Sequence, residues 1–409
     1  MNLPYKIIDD GGVTSPTGFL ASGVIAGLKA SNTLDMALIS SETPANFSGA
    51  FTTCTFAAAP VRLCQQRVIE QSTIQAVIVN SGNANACTGK AGLKNAETMA
   101  ELTATALNID SNAVMVSSTG RIGVQLPMAK IATGINAATT ALTNNGGKAA
   151  AAAIMTTDTC PKSMAVTIEI AGKTVTIGGM AKGAGMIDPK MTVPHATMLC
   201  YITTDAMVSN KLLNQMIGAA AEESFNRINI DGDMSTNDSL IIMANGAAEV
   251  EIIPDSPAAE KFYTALKALT QQLARAMVMD GEGVTKFVNI EISNAASEAD
   301  AKLAANALAN SLLCKTAWFG CDPNWGRLVA ALGYSTAIFN PDDVIIHYDD
   351  QPVVIDGQDA GVPETELAKV LQQREFSVKI NLNAGSANYW MWTNDISYEY
   401  VKINAEYHT

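Results

Sequence analysis

The string Lys182-Gly183-Ala184-Gly185-Met186-Ile187-Asp188-Pro189 leads after a short interval to Ala196-Thr197-Met198-Leu199 and then to Thr203-Thr204-Asp205-Ala206. A Gly-rich stretch thus delivers the chain to a threonine that opens an apolar strand. Gly183 and Gly185 also suit ordinary turns, and no G-K-S/T follows at the spacing of a phosphate-binding loop. A threonine in this place becomes an N-terminal nucleophile if the peptide bond between Ala196 and Thr197 is cut. Its hydroxyl needs a nearby base. A free α-amine, with a pKa of about 7.7–8.0, is partly unprotonated near neutrality, whereas an ordinary lysine at about 10.4 is not. With only three histidines in the chain, the Thr197 amine is itself a plausible base. The same hydroxyl can attack the Ala196 carbonyl to give an ester that water opens.

A second candidate is Ser118-Thr119-Gly120. It reads either as a polar strand-to-helix loop or as an oxyanion site built from the Thr119 hydroxyl and the Gly120 N–H, since glycine lets backbone approach a ligand closely. Asn80 to Gly89 reads as a rigidified turn or a pocket lining. Asp280-Gly281-Glu282-Gly283 reads as a solvated loop or as a carboxylate for a substrate ammonium. Asp322-Pro323-Asn324 reads as a tight turn with Trp325 packed beneath it, and Cys321 lacks a histidine partner that would make it a nucleophile.

The 409 residues carry 26 basic and 39 acidic side chains, a net charge of −13. That balance argues against nucleic-acid binding, which needs clustered Lys and Arg. No basic amphipathic stretch suggests a membrane surface, and no apolar run nears the roughly 18 residues of a membrane span. Met1 to Gly11 carries Asp9 and Asp10 and does not read as a secretory signal. Seven scattered cysteines without a C-x-x-C pair suit free thiols in a reducing cytoplasm better than disulfides or zinc. At 48% hydrophobic and 16% charged residues, the chain can bury a large core. Its length suggests about two or three domains.

Strand and helix patterns interleave. Ile74 to Val79, Ala113 to Val116, Met198 to Thr203 and Lys286 to Ser293 read as strands, and Val166 to Ile177 as a hairpin about Ala171-Gly172-Lys173. Helices are expected after Gly89, after Pro127 (with Ile131, Ile135, Ala138 and Leu142 inward), around Leu212 to Ala220, over Ala258 to Met279 and over Asp300 to Leu312. Gly178 to Pro194 reads as irregular. The last third reads as strands at Val344 to Tyr348, Val353 to Ile355, Ser377 to Leu382 and Tyr398 to Ala405. The expected fold class is α/β, with layered sheets and helices.

Taken together, these strings resemble one family, the ornithine acetyltransferases (glutamate N-acetyltransferases) of arginine biosynthesis. The resemblance runs through Gly11 to Pro16, Gly18-Phe19, Asn80 to Gly89, Ser118 to Gly123 and Met155 to Thr159. It continues through Lys182 to Ile187, Asp231-Gly232-Asp233, Ser235 to Asp238, Asp280 to Phe287, Lys315 to Gly326 and Ile403 to Tyr407. It implies a DmpA-like sandwich of sheets between helix layers and no cofactor or metal. It further implies self-cleavage into an α chain, 1–196, and a β chain, 197–409, assembled as an α2β2 heterotetramer. In the implied ping-pong reaction Thr197 takes the acetyl group of N2-acetylornithine and passes it to glutamate, and many members also accept acetyl-CoA. By resemblance Thr119 and Gly120 form the oxyanion site, while Thr156, Lys182, Thr197, Glu282, Asn404 and Thr409 contact substrate. Charge alone suggests that Glu282 pairs with the ornithine side-chain ammonium and Lys182 with a substrate carboxylate.

The chain departs from the family pattern in one place. Four residues, Thr192-Val193-Pro194-His195, separate Met191 from Ala196. A lengthened loop costs little entropy, so the insertion reads as tolerated; blocked cleavage, or a cut before Thr192, are the competing readings. The spacing from Thr197 to Met198, Leu199 and Thr203 to Ala206 favours Thr197. An amidase or aminopeptidase of the same fold, a secondary-metabolism acetyltransferase and an uncleaved non-catalytic homologue are the rival functions.

Overall fold

The computed structural model describes residues 4–188, 190 and 198–406. Nine strands form the first sheet: β1 (Lys6–Ile8), β2 (Phe19–Val24), β3 (Met36–Phe51), β4 (Ile74–Asn83), β5 (Val114–Arg121), β6 (Lys162–Ile170), β7 (Lys173–Lys182), β8 (Leu199–Thr204) and β9 (Ser239–Ala244). Their spatial order is β1-β6-β7-β8-β9-β3-β4-β5, with β2 paired to β3. The second sheet holds β10 (Phe287–Ala295), β11 (Ile345–Tyr348), β12 (Gln351–Ile355), β13 (Gln358–Asp359), β14 (Glu375–Asn381) and β15 (Ala387–Asn394), in the order β13-β12-β11-β14-β10-β15. The helices are α1 (Ala59–Glu70), α2 (Gly89–Leu107), α3 (Met128–Thr140), α4 (Gly147–Ala153), α5 (Asn210–Glu222), α6 (Pro257–Met279), α7 (Glu298–Ala309), α8 (Leu312–Phe319), α9 (Trp325–Gly333), α10 (Glu364–Leu371) and α11 (Tyr398–Glu406). The expected mixed α/β layering is present.

The period-2 geometry of strands divides the side chains of β8 and β9 between two cores. Cys200, Ile202, Leu240 and Ile242 face the core shared with α5 and α6. Leu199, Tyr201, Ile241 and Met243 face the opposite core, which takes in residues of α1 and α4. Every residue of both strands is buried, which explains their near-continuous apolar runs. In α6 the residues Phe262, Leu266, Leu269, Leu273 and Met277, spaced three or four apart, form one buried stripe. This helix begins at Pro257 behind Ser256, whose hydroxyl accepts from the Ala259 N–H. The two-residue loop of the β6–β7 hairpin, Ala171 and Gly172, has φ of 51° and 79°, the left-handed pair of a tight hairpin turn.

Several expected boundaries move. β7 runs on through Lys182, although Gly178 to Pro194 reads as irregular. The reason lies in packing: a Cβ on Gly178 would meet the Gly12 carbonyl oxygen at 2.0 Å, so this glycine serves close approach rather than a turn. β4 and β5 likewise extend to Asn83 and Arg121, so Thr119 and Gly120 lie in a strand, not a loop. β3, unassigned in the sequence, pairs with β2 and β4 over its first half and with β9 over Asn46–Phe51. Its pairing with β4 shifts register between Ser40 and Ala45, around Pro44, which suits a bulge.

The strand expected at Tyr398 to Ala405 is a helix, α11. Tyr398 is 85% exposed, and among the described residues no strand pairs with this segment. The helix instead places Tyr400 and Asn404, four apart, on the same cavity.

The boundary at 196/197 is not a division of the fold. β8 and β9 lie between β7 and β3, so both sequence segments share one sheet.

Candidate active site

One cavity of about 250 Å³ is lined by Thr119, Gly120, Thr156, Lys182, Glu282 and Asn404. The structure therefore brings together six of the candidate site residues. Met198 and Leu199 line it too; these are the two residues that follow Thr197 in the chain. Ala196, Thr197, Thr409 and the insertion Thr192-Val193-Pro194-His195 lie outside the described residues.

Three segments carry the polar groups, and one buried ion cluster ties them together. Lys162, in β6, donates to Asp158 Oδ1 at 2.7 Å and to Asp280 Oδ2 at 2.6 Å, with all three side chains at most 6% exposed. Asp158 also accepts from the N–H groups of Thr156 (3.0 Å) and Gly183 (2.7 Å). Asp280 accepts from the N–H and the hydroxyl of Thr159. The cluster thus fixes Thr156, the end of β7 that carries Lys182, and the loop that carries Glu282. Burial alone would raise the Asp158 carboxyl, but the ammonium groups of Lys182 and Lys162 outweigh it and hold it down at about 2.

A carboxyl depressed in the folded state stabilises the fold above its ordinary value and loses that contribution as pH falls through the folded value. For Asp158 this window lies between 3.8 and about 2. Urea unfolding at steps through this window should show a falling midpoint in the parent protein and a shallower fall in Asp158→Asn.

Glu282 stands at the rear of this loop, 7% exposed. The Asn404 amide of α11 donates to its Oε2 at 2.7 Å, and the Glu282 N–H donates to the Ala184 carbonyl at 2.8 Å. Asp280-Gly281-Glu282-Gly283 is therefore a buried wall of the cavity rather than a solvated loop. Ser397 helps to seat α11, donating its hydroxyl to Gly283 O at 2.6 Å and accepting from the Tyr400 N–H.

Behind the loop, Asp395 accepts from the Thr285 and Lys286 N–H groups. Lys315, fully buried in α8, donates to Thr393 Oγ1 and to the Asn394 carbonyl. Burial pushes the Lys315 ammonium down to about 7, despite the pull of Asp231 and Asp395. The second sheet is thereby anchored to the cavity wall.

Thr119 and Gly120 sit at the end of β5, where the parallel partner β4 changes register at Asn83. Gly120 has φ of +125°, and a Cβ there would lie 2.5 Å from the Gly82 carbonyl carbon. Only glycine suits that position. Asn237 buttresses it, its amide donating to the Ser118 carbonyl at 2.9 Å and to that of Ala84.

The amides of Asn80, Asn83 and Asn85 bond to the carbonyls of Asn83, Val124 and Gly92, so these side chains brace the backbone; Asn80 to Asn83 belong to β4, and only Ala84 to Thr88 form the loop before α2. Sequence reasoning assigned no role to Asp231, Asp238 or Tyr400, all of which line the cavity. The signal for the two aspartates was present in Asp231-Gly232-Asp233 and Ser235 to Asp238. Asp231 accepts from the Met186 and Ile187 N–H groups at 2.6 and 2.9 Å, which shapes the glycine-rich loop. Among the described residues, no group of three or more His, Cys, Asp or Glu side chains is placed to hold a metal ion. No described helix is long and apolar enough to cross a membrane.

Fold and site together define a layered α/β protein whose small cavity, walled by one lysine and several carboxyl groups, suits an amino-acid-sized ligand. The ArgJ family signature matches residues 20–409, and the chain belongs to the ArgJ family. It is 46% identical over 402 residues to the arginine biosynthesis bifunctional protein ArgJ of Symbiobacterium thermophilum, covering 98% of this chain and 99% of that protein. Its identity to the protein of the same description from Geobacter sulfurreducens is 46% over 394 residues, covering 96% and 99%. The solved structure of an ornithine acetyltransferase from Mycobacterium tuberculosis, complexed with ornithine, is 43% identical. It covers 46% of this chain and 100% of its own, with a TM-score of 0.43.

Proposed function

We propose that this chain moves the acetyl group of N2-acetyl-L-ornithine to L-glutamate in arginine biosynthesis, through an acetyl ester on Thr197. The observation that carries this reading is the shared cavity. Lys182 and Glu282 stand on the same cavity as Met198 and Leu199, directly downstream of Thr197. N2-acetylornithine carries an α-carboxylate, a side-chain ammonium and the acetyl group. Lys182 pairs with the first and Glu282 with the second, which aims the acetyl carbonyl at the Thr197 hydroxyl. The Thr119 hydroxyl and the Gly120 N–H then stabilise the developing alkoxide, a contribution of roughly 3–4 kcal/mol per donor. Ornithine leaves, and the amine of glutamate attacks the ester in its place.

The nucleophile is freed by self-cleavage between Ala196 and Thr197, giving chains 1–196 and 197–409. The position of β8 and β9 inside the first sheet supports a pair that stays associated after the cut, and two such pairs form the α2β2 assembly. A cavity of about 250 Å³ lies at the small end of ligand pockets and suits an acetylated amino acid. Acetyl-CoA, as a second donor, would extend beyond it. Seven free cysteines suit a reducing cytoplasm. The reaction as written requires no cofactor.

Glu282→Gln tests the substrate assignment. It keeps the shape of the side chain and its contact with Asn404 but removes the charge. The KM for N2-acetylornithine should rise by about tenfold or more, as expected for loss of a charge-assisted contact, with a smaller change in the KM for glutamate. An unchanged donor KM would remove Glu282 from ammonium recognition.

A further inference from the structure

Asp238 lines the cavity, and no step above uses it. It precedes β9 directly, and the parallel register Leu199↔Ser239 sets it beside Met198. The Ser239 N–H donates to the Met198 carbonyl at 2.5 Å, and the Thr52 N–H to the Asp238 carbonyl at 3.1 Å. Its neighbour Asn237 holds the Ser118 carbonyl. Asp238 therefore lies between the strand that carries Thr119 and Gly120 and the strand that follows Thr197.

Its side chain is out of place as a structural group. The residue is 3% exposed, and its Oδ2 has no hydrogen-bond partner among the described residues. A buried oxygen left unpaired costs about 1–3 kcal/mol, so its retention calls for a reason. Burial pushes the carboxyl well above the ordinary carboxylate range, and the Ser235 hydroxyl, the Lys182 ammonium and the Met198 N–H only partly offset this. The other ionisable groups around the cavity are Asp231 and Asp233 before β9, Glu282 after α6 and Tyr400 on α11.

We propose that Asp238 is the acid of the acyl transfer, giving a proton to the departing amine and taking one from the incoming amine. The proposal rests on the acetyl-Thr197 reading. On acylation, the Thr197 oxygen bonds to the acetyl carbon and the donor's carbon–nitrogen bond breaks. The hydroxyl proton passes to the Thr197 α-amine, and the Asp238 proton passes to the departing nitrogen. Free ornithine amine, a Thr197 ammonium and an Asp238 carboxylate result. When glutamate attacks the ester, the Asp238 carboxylate takes a proton from the attacking nitrogen, and the Thr197 ammonium returns one to the hydroxyl oxygen.

The test compares two acetyl donors, N2-acetylornithine and p-nitrophenyl acetate, whose phenolate leaves without needing a proton. Acetylation of the 197–409 chain is followed by quenched intact mass in the parent protein and in Asp238→Asn. With N2-acetylornithine, the variant should be slower by about 100-fold or more, the usual contribution of a general acid, while with the aryl ester its rate stays close to that of the parent. The parent should also lose rate at high pH with the amide donor and not with the ester, and this limb should vanish in the variant. Equal losses on both donors, or no loss on the amide, would overturn the proposal. If the variant fails to fold or to cleave, the two pH profiles of the parent decide: a high-pH limb common to both donors, or absent from both, rejects it. A parent protein that never acquires the acetyl group refutes instead the ester reading on which the proposal stands.

Discussion

Thr197→Ala is expected to give one uncut chain of 42.9 kDa with no acetyl transfer. The same hydroxyl serves both events. It attacks the Ala196 carbonyl during maturation, and afterwards it attacks the acetyl carbonyl of the donor. Its removal therefore leaves neither a free α-amine to act as base nor an oxygen to carry the ester. Loss of a nucleophile that works as a unit with its base costs at least about 10⁴-fold in kcat. The variant should still fold, because Leu199 and the rest of β8 keep their places in the sheet. It should also still bind N2-acetylornithine through Lys182 and Glu282, which thermal stabilisation by the ligand would register. Cleavage of Thr197→Ala at an unchanged position would contradict the account, and a cut before Thr192 would move the nucleophile there.

The largest effect on stability is expected from Lys162→Met. Methionine fills a similar volume but leaves Asp158 and Asp280 facing each other without the ammonium that bridges them, at 0% and 6% side-chain exposure. Breaking a buried pair in this way typically costs about 3–5 kcal/mol. The damage should also reach the site, because Asp158 holds the Thr156 and Gly183 N–H groups and Asp280 holds Thr159. Urea unfolding should report the lost stability, and steady-state kinetics a higher KM for the donor. A variant within about 1 kcal/mol of the parent would mean that the cluster is dispensable; surface pairs behave in that way. Arg is a poor replacement too, since its planar fork does not match the two-carboxyl grip on one ammonium.

The sequence was most legible where local chemistry and local periodicity agree. The stripe of α6, the hairpin at Ala171-Gly172 and the apolar run of β8 could each be read in short windows; β9, just as apolar, went unassigned. The convergence of Thr119, Gly120, Thr156, Lys182, Glu282 and Asn404 came from the resemblance. Nothing in their spacing states that segments so far apart in the chain share one cavity. Where the reading failed, a distant contact had decided the local structure. Gly178 reads as a turn residue until Gly12 is seen pressed against it. Tyr398 to Ala405 reads as a strand, yet the segment borders the cavity as a helix from which Asn404 reaches Glu282. The Lys162 cluster left no sequence signal. Its members lie 4 and 118 residues apart, and lone Asp and Lys residues normally read as solvated.

The central claim is that Thr197 is freed by cleavage and then carries the acetyl group. A denaturing intact-mass spectrum of freshly purified protein, before and after incubation with N2-acetylornithine, tests it most directly. The account predicts two chains, ending at Ala196 and beginning at Thr197, with the second heavier by one acetyl group after incubation and restored by glutamate. A single uncut chain that takes up no acetyl group, or an acetyl group found only on the 1–196 chain, would contradict it.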